Sequence, residues 1–192
     1  MTRTTNQLRL IGGRFRGRRL PFPDQPGLRP TPDRVRETLF NWLAPVIVGA
    51  RCLDAFAGSG ALGFEAASRG AGEVVLIERS PLVARQLQVN AQTLGAAEVR
   101  IQQADTLQWL AAAGHPFDIV FLDPPFADDL LMPAIAHLAE HGWLAPGAAS
   151  KAETRALAAR YGLAVATPPA SSDQRPAASH DTTAGSWRLT DH

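Results

Sequence analysis

The sequence predicts an α/β fold built on a doubly wound, mostly parallel sheet. Three observations predict it. From residue 51 onward, short apolar runs alternate with helical patterns, and that alternation favours parallel strands joined by crossover helices. The run Ile119-Val120-Phe121-Leu122 ends in Asp123-Pro124-Pro125-Phe126, and a short apolar run stopped by proline reads as a buried strand with its carboxyl end at the stop. Leu53-Asp54 leads into Gly58-x-Gly60-x-x-Gly63, a glycine spacing that permits a tight turn from strand to helix. Open α/β sheets bind ligands at the carboxyl ends of their strands. The last two observations therefore mark a site as well as a fold.

Each element has a local justification. Residues 8–11, then Gly12-Gly13, then 14–20 predict a small β-hairpin. A connector rich in proline (Pro21, Pro23, Pro26, Pro30) follows. Thr31 stands where an N-cap is expected, with Pro32 at the first helical position. The helix carries Val35, Leu39, Phe40, Trp42 and Leu43 and stops before Pro45. Cys52-Leu53 begins the main sheet, and a helix over 62–68 follows the glycine loop. A strand over 74–77 is succeeded by a Ser80 cap, with Pro81 opening a helix that bears Val83, Leu87 and Leu94. A strand over 99–101 leads to Asp105 and a helix around Trp109-Leu110. The strand before Asp123 is followed by a helix over 130–139. Beyond Trp143-Leu144 the pattern weakens: 145–151 is poor strand material, 153–161 suits a helix, and 164–186 is rich in Ala, Ser, Thr and Pro and reads as irregular. Residues 186–189 suit a short strand. The expected organisation is a basic hairpin-and-helix extension over 1–45, a main α/β domain over 46–163 and a divergent, partly irregular C-terminal tail over 164–192.

Composition narrows the function. At 192 residues, 45% hydrophobic and 19% charged, the chain has the make-up of a soluble globular protein. No apolar stretch approaches the ~20 residues of a membrane span, and no signal-peptide core opens the chain, so a cytoplasmic protein without a membrane partner is expected. A single cysteine, Cys52, excludes an intramolecular disulfide and a multi-cysteine zinc site. The net charge is only +1, yet residues 1–36 hold nine Arg against two Asp. Such asymmetry suggests a basic arm that meets phosphate, and Arg grips phosphate bidentately and stacks on bases.

The motifs point to particular chemistry. In Asp123-Pro124-Pro125-Phe126 the carboxylate accepts hydrogen bonds, the prolines lack N–H groups and can turn a carbonyl into the cleft, and Phe126 offers a face for stacking. Acceptors beside an aromatic plate suit a planar amine such as the exocyclic NH2 of a nucleobase. Glu78 lies twenty residues after Gly58 at the end of a strand, where an acid accepts from ribose hydroxyls. The glycine loop alone would also suit a dinucleotide. Asp54 argues otherwise, because a carboxylate beside phosphates is unfavourable, whereas the ammonium and sulfonium of S-adenosylmethionine would welcome it.

Together, in order, Asp54-x-Phe56-x-Gly58-x-Gly60, Glu78, Asp105 and Asp123-Pro124-Pro125-Phe126 resemble the class I S-adenosylmethionine-dependent methyltransferases, of Rossmann-like fold, in their amino-methylating branch. With Arg9-Leu10-Ile11-Gly12-Gly13 and Leu28-Arg29-Pro30-Thr31-x-Asp33-Arg34-Val35-Arg36-Glu37 added, the chain resembles the RsmD family, bacterial enzymes that methylate guanine N2 in 16S ribosomal RNA. The resemblance covers about residues 8–145 and weakens beyond Trp143-Leu144. It implies a cofactor site of Asp54, Ala55, Phe56, Gly58, Ser59, Gly60, Leu62, Glu78, Arg79, Asp105 and Thr106, with Asp54, Phe56 and 58–60 around the methionine portion, Glu78 on the ribose and Asp105 near the adenine amine. Asp123, Pro124, Pro125 and Phe126 would receive the flipped guanine. Arg14, Arg16, Arg18, Arg19, Arg29 and Arg34 would face RNA, the hairpin and the segment from Arg29 to Arg36 either meeting RNA or closing over the cofactor. The implied partner is 16S rRNA within the 30S subunit or its assembly intermediate, met by a monomer with no metal. A non-catalytic RNA-binding protein on the same fold, or an enzyme acting on adenine N6 or cytosine N4 of DNA, are the other readings.

Some features read more simply as structure. His137-x-x-Glu140-His141 matches an inverted zinc-protease motif, but the helix ends at Gly142 with no further ligand helix, so surface histidines are expected. Cys52 lies inside a strand and lacks the Pro-Cys setting of a covalent methyltransferase nucleophile. Trp42, Trp109 and Trp143 are expected to pack.

Overall fold

Five strands form the main sheet in the order β5–β4–β3–β6–β7. In chain order these are β3 (Arg51–Asp54), β4 (Glu73–Glu78), β5 (Val99–Gln103), β6 (Ile119–Leu122) and β7 (Ala164–Ala166). The computed structural model describes residues 6–125 and 129–145 in full, and of 164–166 the backbone. β3, β4, β5 and β6 are parallel, and β7 pairs antiparallel with β6. Residues 164–166, expected to be irregular, are thus an edge strand: Ala-Val-Ala is weak strand material, and its pairing comes from the open edge of β6 rather than from local propensity. The expected helix over 153–161 and strand over 186–189 lie outside the described residues.

Alternation along the strands builds two apolar layers. Cys52, Val74, Leu76, Ile119 and Phe121 face one cluster, while Leu53, Ile77, Val120 and Leu122 face the other. Both faces are buried, as parallel strands require. The first layer is covered by α2 (Ala61–Ser68) and α3 (Pro81–Leu94), the second by α4 (Thr106–Leu110) and α5 (Leu131–Glu140). Every residue of α2 is buried, which explains why its sequence shows no polar face. In α3, Val83, Leu87, Ala91 and Leu94 form the inward stripe, and Gly95 ends the helix at φ +66°, a left-handed position suited to glycine.

The N-terminal extension joins the first layer. β1 (Asn6–Arg9), β2 (Arg19–Phe22) and α1 (Asp33–Leu43) place Leu8, Leu10, Leu20, Phe22, Leu39, Phe40 and Leu43 in the same cluster as the sheet. The expected hairpin is present, and the structure sets its register. Asn6 pairs with Phe22 and Arg9 with Arg19, so Gly12-Gly13 is not its turn and 10–18 is a docked loop. The reason is contact with α2: Arg14 N donates to Ser68 O at 2.8 Å, and a Cβ on Gly13 would lie 1.8 Å from that carbonyl oxygen. α1 also departs from expectation, starting at Asp33 with Pro32 at the cap position and no side-chain cap bond. Ser80 caps α3 by position only, its hydroxyl making no cap bond.

Two further expectations fail. Trp42 is 51% exposed, because α1 turns its Leu39, Phe40 and Leu43 face inward. Arg36 is fully buried and cannot belong to an RNA-facing surface. Its guanidinium bonds the carbonyls of Thr31 (3.1 Å) and Arg9 (2.9 Å) and Asp33 Oδ1 (2.6 Å), and lies 3.6 Å from buried Glu65. Trp109 and Trp143 do pack, their rings 4.2 Å apart.

Candidate active site

The strand order changes direction between β3 and β6, and Asp54 and Asp123 stand at their carboxyl ends on either side of this switch. A cleft of about 550 Å³ opens there, within the usual range for small-molecule sites. Its walls are the loops after β3, β4, β5 and β6, and its roof is the connector over 25–32.

The glycine loop is shaped by acids. Gly63 N donates to Asp54 Oδ2 at 2.9 Å, and Gly58 N donates to Glu78 Oε2 at 3.0 Å while Ser80 N donates to Oε1 at 2.7 Å. Gly58 and Gly60 have φ of +51° and +78°, conformations open to glycine. A Cβ on Gly63 would sit 2.8 Å from Leu76, so the third glycine lets α2 lie close on β4. Thr106 donates to Ala55 O, locking the end of β3 to the start of α4, and Asp105 caps α4 by accepting from Gln108 N at 3.0 Å.

Asp54 is 1% exposed. Burial pushes its carboxyl up to about 7, and the nearby Asp123 and Glu78 charges push the same way against the bond from Gly63 N. Asp123 is half-buried and also raised, by burial, against a bond from Thr31. Desolvated acids gathered on one cleft favour a cation between them. Cys52 is buried, and burial drives its thiol upward, away from the thiolate a covalent mechanism would need.

The cleft brings together most of the sequence-identified residues. Asp54, Phe56, Gly58, Ser59, Leu62, Glu78, Arg79, Asp105, Thr106, Asp123, Pro124 and Pro125 line it. Ala55 and Gly60 stand behind the wall as backbone supports. Phe126 lies outside the described residues. Of the basic residues, Arg29 lines the cleft; Arg34 is exposed on α1. Arg14, Arg16, Arg18 and Arg19 are exposed on the hairpin side, where Arg14 pairs with Glu98 and Arg18 reaches Thr93 O at 3.4 Å. His137, Glu140 and His141 bring one ligand atom each within 4.8 Å of one another. They line no part of the cleft, and the two histidines are half-buried rather than on the surface.

The resemblance leaves open that the segment from Arg29 to Arg36 closes over the cofactor; the particular contacts of the roof are not foreseeable from it. Thr31 Oγ1 donates to Asp123 Oδ2 at 3.0 Å, and Gln25 Nε2 donates to Ser80 Oγ at 3.3 Å. Leu28 comes close enough that a Cβ on Gly58 would touch its Cδ1 at 3.0 Å. No local periodicity marks these residues; only the unbroken Leu28-Arg29-Pro30-Thr31 string hinted at a role.

Residues 8–160 match the family model described as Conserved hypothetical protein 95. The Escherichia coli (strain K12) protein named Ribosomal RNA small subunit methyltransferase D is 57% identical over 141 residues, 73% of this chain and 71% of that protein. Its Haemophilus influenzae namesake is 48% identical over 152 residues, covering 77% and 79%. The solved structure of yhhF from Escherichia coli superposes with a TM-score of 0.69 at 54% identity, covering 73% of this chain and 76% of that one.

Proposed function

The chain belongs to the RsmD family, whose model is described as Conserved hypothetical protein 95, and from that membership we propose that it methylates the exocyclic N2 amine of a specific guanine in 16S rRNA. It is an rRNA methyltransferase that uses S-adenosylmethionine. Its substrate in this reading is a small-subunit assembly particle, met in the cytoplasm by a monomer. No helix among the described residues is long and apolar enough to cross a membrane. The observation that carries the reading is the gathering of Asp54, Glu78 and Asp123-Pro124-Pro125 on one cleft at the switch point.

The residues fit the cofactor. Buried Asp54 suits its cationic amino-acid end, Glu78 and the glycine loop its ribose, and Asp105 with Leu107 its adenine. When bound, S-adenosylmethionine supplies an electrophilic methyl on sulfonium. A guanine amine is a weak nucleophile, because its lone pair is delocalised into the ring. Asp123 accepts a hydrogen bond from one N–H of the amine, and a proline carbonyl of Pro124-Pro125 accepts one from the other. The nitrogen then becomes more pyramidal and its lone pair localises. Forming the N–C bond would break the sulfonium's bond to the methyl and release S-adenosylhomocysteine; the amine, positively charged by then, would give one proton to Asp123 or water, so no strong base is required. Placement and fixed charge supply most of the acceleration.

Asp54 gives the binding step a pH signature. A cation bound beside it requires the ionised carboxylate, so below pH 7 binding must release a proton. Between pH 7 and 5.5 the dissociation constant for S-adenosylmethionine should rise about tenfold. Calorimetry across this range checks it, with Asp54→Asn expected to bind weakly and with a flat profile; a flat wild-type profile would remove Asp54 from the cation site. Stability moves the other way. With a folded value above the ordinary 3.8, this carboxyl stabilises the native state below about pH 4 and that contribution is lost by about pH 7.

The test of the function is methyl transfer from labelled S-adenosylmethionine to unmethylated small-subunit particles, with naked rRNA and DNA alongside. Label recovered as N2-methylguanosine from particles supports the proposal, and label in adenine or cytosine of DNA defeats it. Replacing Arg14, Arg16, Arg18 and Arg19 with Gln should weaken RNA binding and lower the slope of log K against log salt by about 2–3, since each phosphate contact contributes about 0.7–0.9 and Arg14 is already paired. An unchanged slope would place the RNA elsewhere.

A further inference from the structure

Asp123 occupies an unusual position for a carboxylate that must present itself to a substrate. A strand-end Asp commonly orients itself on the backbone N–H groups just after it. Here the next two residues are Pro124 and Pro125, which have none to offer. The donor comes instead from the opposite end of the chain: Thr31 Oγ1 bonds Asp123 Oδ2 at 3.0 Å.

Thr31 is itself held firmly. Its carbonyl accepts from Arg36 Nε at 3.1 Å, and Arg36 is fully buried, bonded to the Arg9 carbonyl and Asp33 and facing Glu65 of α2. A continuous polar chain therefore runs from the centre of α2 through Arg36 and Thr31 to the cleft. Thr31 is β-branched, which limits its χ1. It lies one residue outside the cap position of α1, which Pro32 occupies, so its hydroxyl is free of a capping role.

We infer that Thr31 is a positioning residue for methyl transfer, fixing Oδ2 of Asp123 so that the carboxylate meets the target amine through Oδ1. The inference rests on the role proposed above for Asp123. The bond also opposes the effect of burial on that carboxyl. The connector that carries Thr31 is tied at its other end by Gln25 to Ser80, beside Glu78. One strap thus spans the cofactor side and the base side of the cleft.

The experiment compares Thr31→Val, Thr31→Ser and Asp123→Ala at saturating particle and cofactor, with cofactor affinity measured separately. Thr31→Val should lower kcat about tenfold, the loss expected when a hydrogen bond to a charged group is removed, with the S-adenosylmethionine dissociation constant within about twofold. Thr31→Ser keeps the hydroxyl and should restore kcat to within about twofold of the parent. Full activity in Thr31→Val alongside a dead Asp123→Ala would overturn the role of Thr31 alone. Equal losses in Thr31→Val and Thr31→Ser would also overturn it, since packing of the methyl would then be the cause. An active Asp123→Ala would instead overturn the reading of the site.

Discussion

Replacing Asp123 with Ala is expected to lower the rate of methyl transfer at least 10³-fold, the scale seen when a fixed group aimed at developing charge is removed, and to leave cofactor affinity within about twofold. The separation follows from geometry. Asp123 stands beyond the end of β6, while the groups suited to the cofactor stand after β3, β4 and β5. Ala removes the acceptor and leaves the Thr31 hydroxyl without its partner, but the glycine loop keeps its own bonds to Asp54 and Glu78. Single-turnover transfer and equilibrium binding, measured on the same preparations, separate the two quantities. A rate loss under tenfold would mean that the amine is held by other groups. Asn at this position is informative in the same assay: its NH2 can donate to the Thr31 hydroxyl and its carbonyl can face the amine, so any rate it recovers over Ala measures the acceptor without the charge.

The parts of this site that were legible in the sequence are those governed by neighbours in the chain. Apolar runs ending at Asp54, Glu78 and Asp123 fixed three strand ends, because a buried parallel strand must be apolar throughout and its first polar residue marks the exit. The glycine spacing was legible because a turn between β3 and α2 depends on residues within one loop. What escaped was governed by distance. Thr31 looked like a helix cap, since its true partner lies 92 residues away. Arg36 looked like one of a basic series, and nothing nearby reveals that Glu65 waits inside to receive it. The turn register of the hairpin around Gly12-Gly13 was not legible, because their docking partner, Ser68, is on another helix. Trp42 looked like core, although its helix had three better apolar residues to bury. Charge and size predicted what these residues prefer; only the fold decided which preference was met.

Glu65→Ala should destabilise the protein by about 3–5 kcal/mol, the usual consequence of stripping one partner from a buried ion pair. Glu65 is fully buried in α2. Its Oε1 accepts from Gly12 N and Arg69 Nε, both at 2.8 Å, and its Oε2 accepts from Ile11 N at 2.9 Å with Arg36 close by. Removal leaves two backbone donors and two guanidinium groups short of an acceptor, one of them in the core. For a chain of this size the shift corresponds to a fall in Tm of about 6–20 °C. Denaturant midpoints with an unchanged m-value would confirm that stability alone has moved. The control is the pair Arg36→Met with Glu65→Leu, which removes both charges and refills the volume. It should cost less than Glu65→Ala alone, because no buried charge is left uncompensated. A Glu65→Ala loss below about 1 kcal/mol would show that water reaches the network and satisfies it. The same substitution frees the Ile11-Gly12 dock and loosens Arg36. Stability of the hairpin and placement of Thr31 therefore depend on one carboxylate, and activity should fall before the protein unfolds.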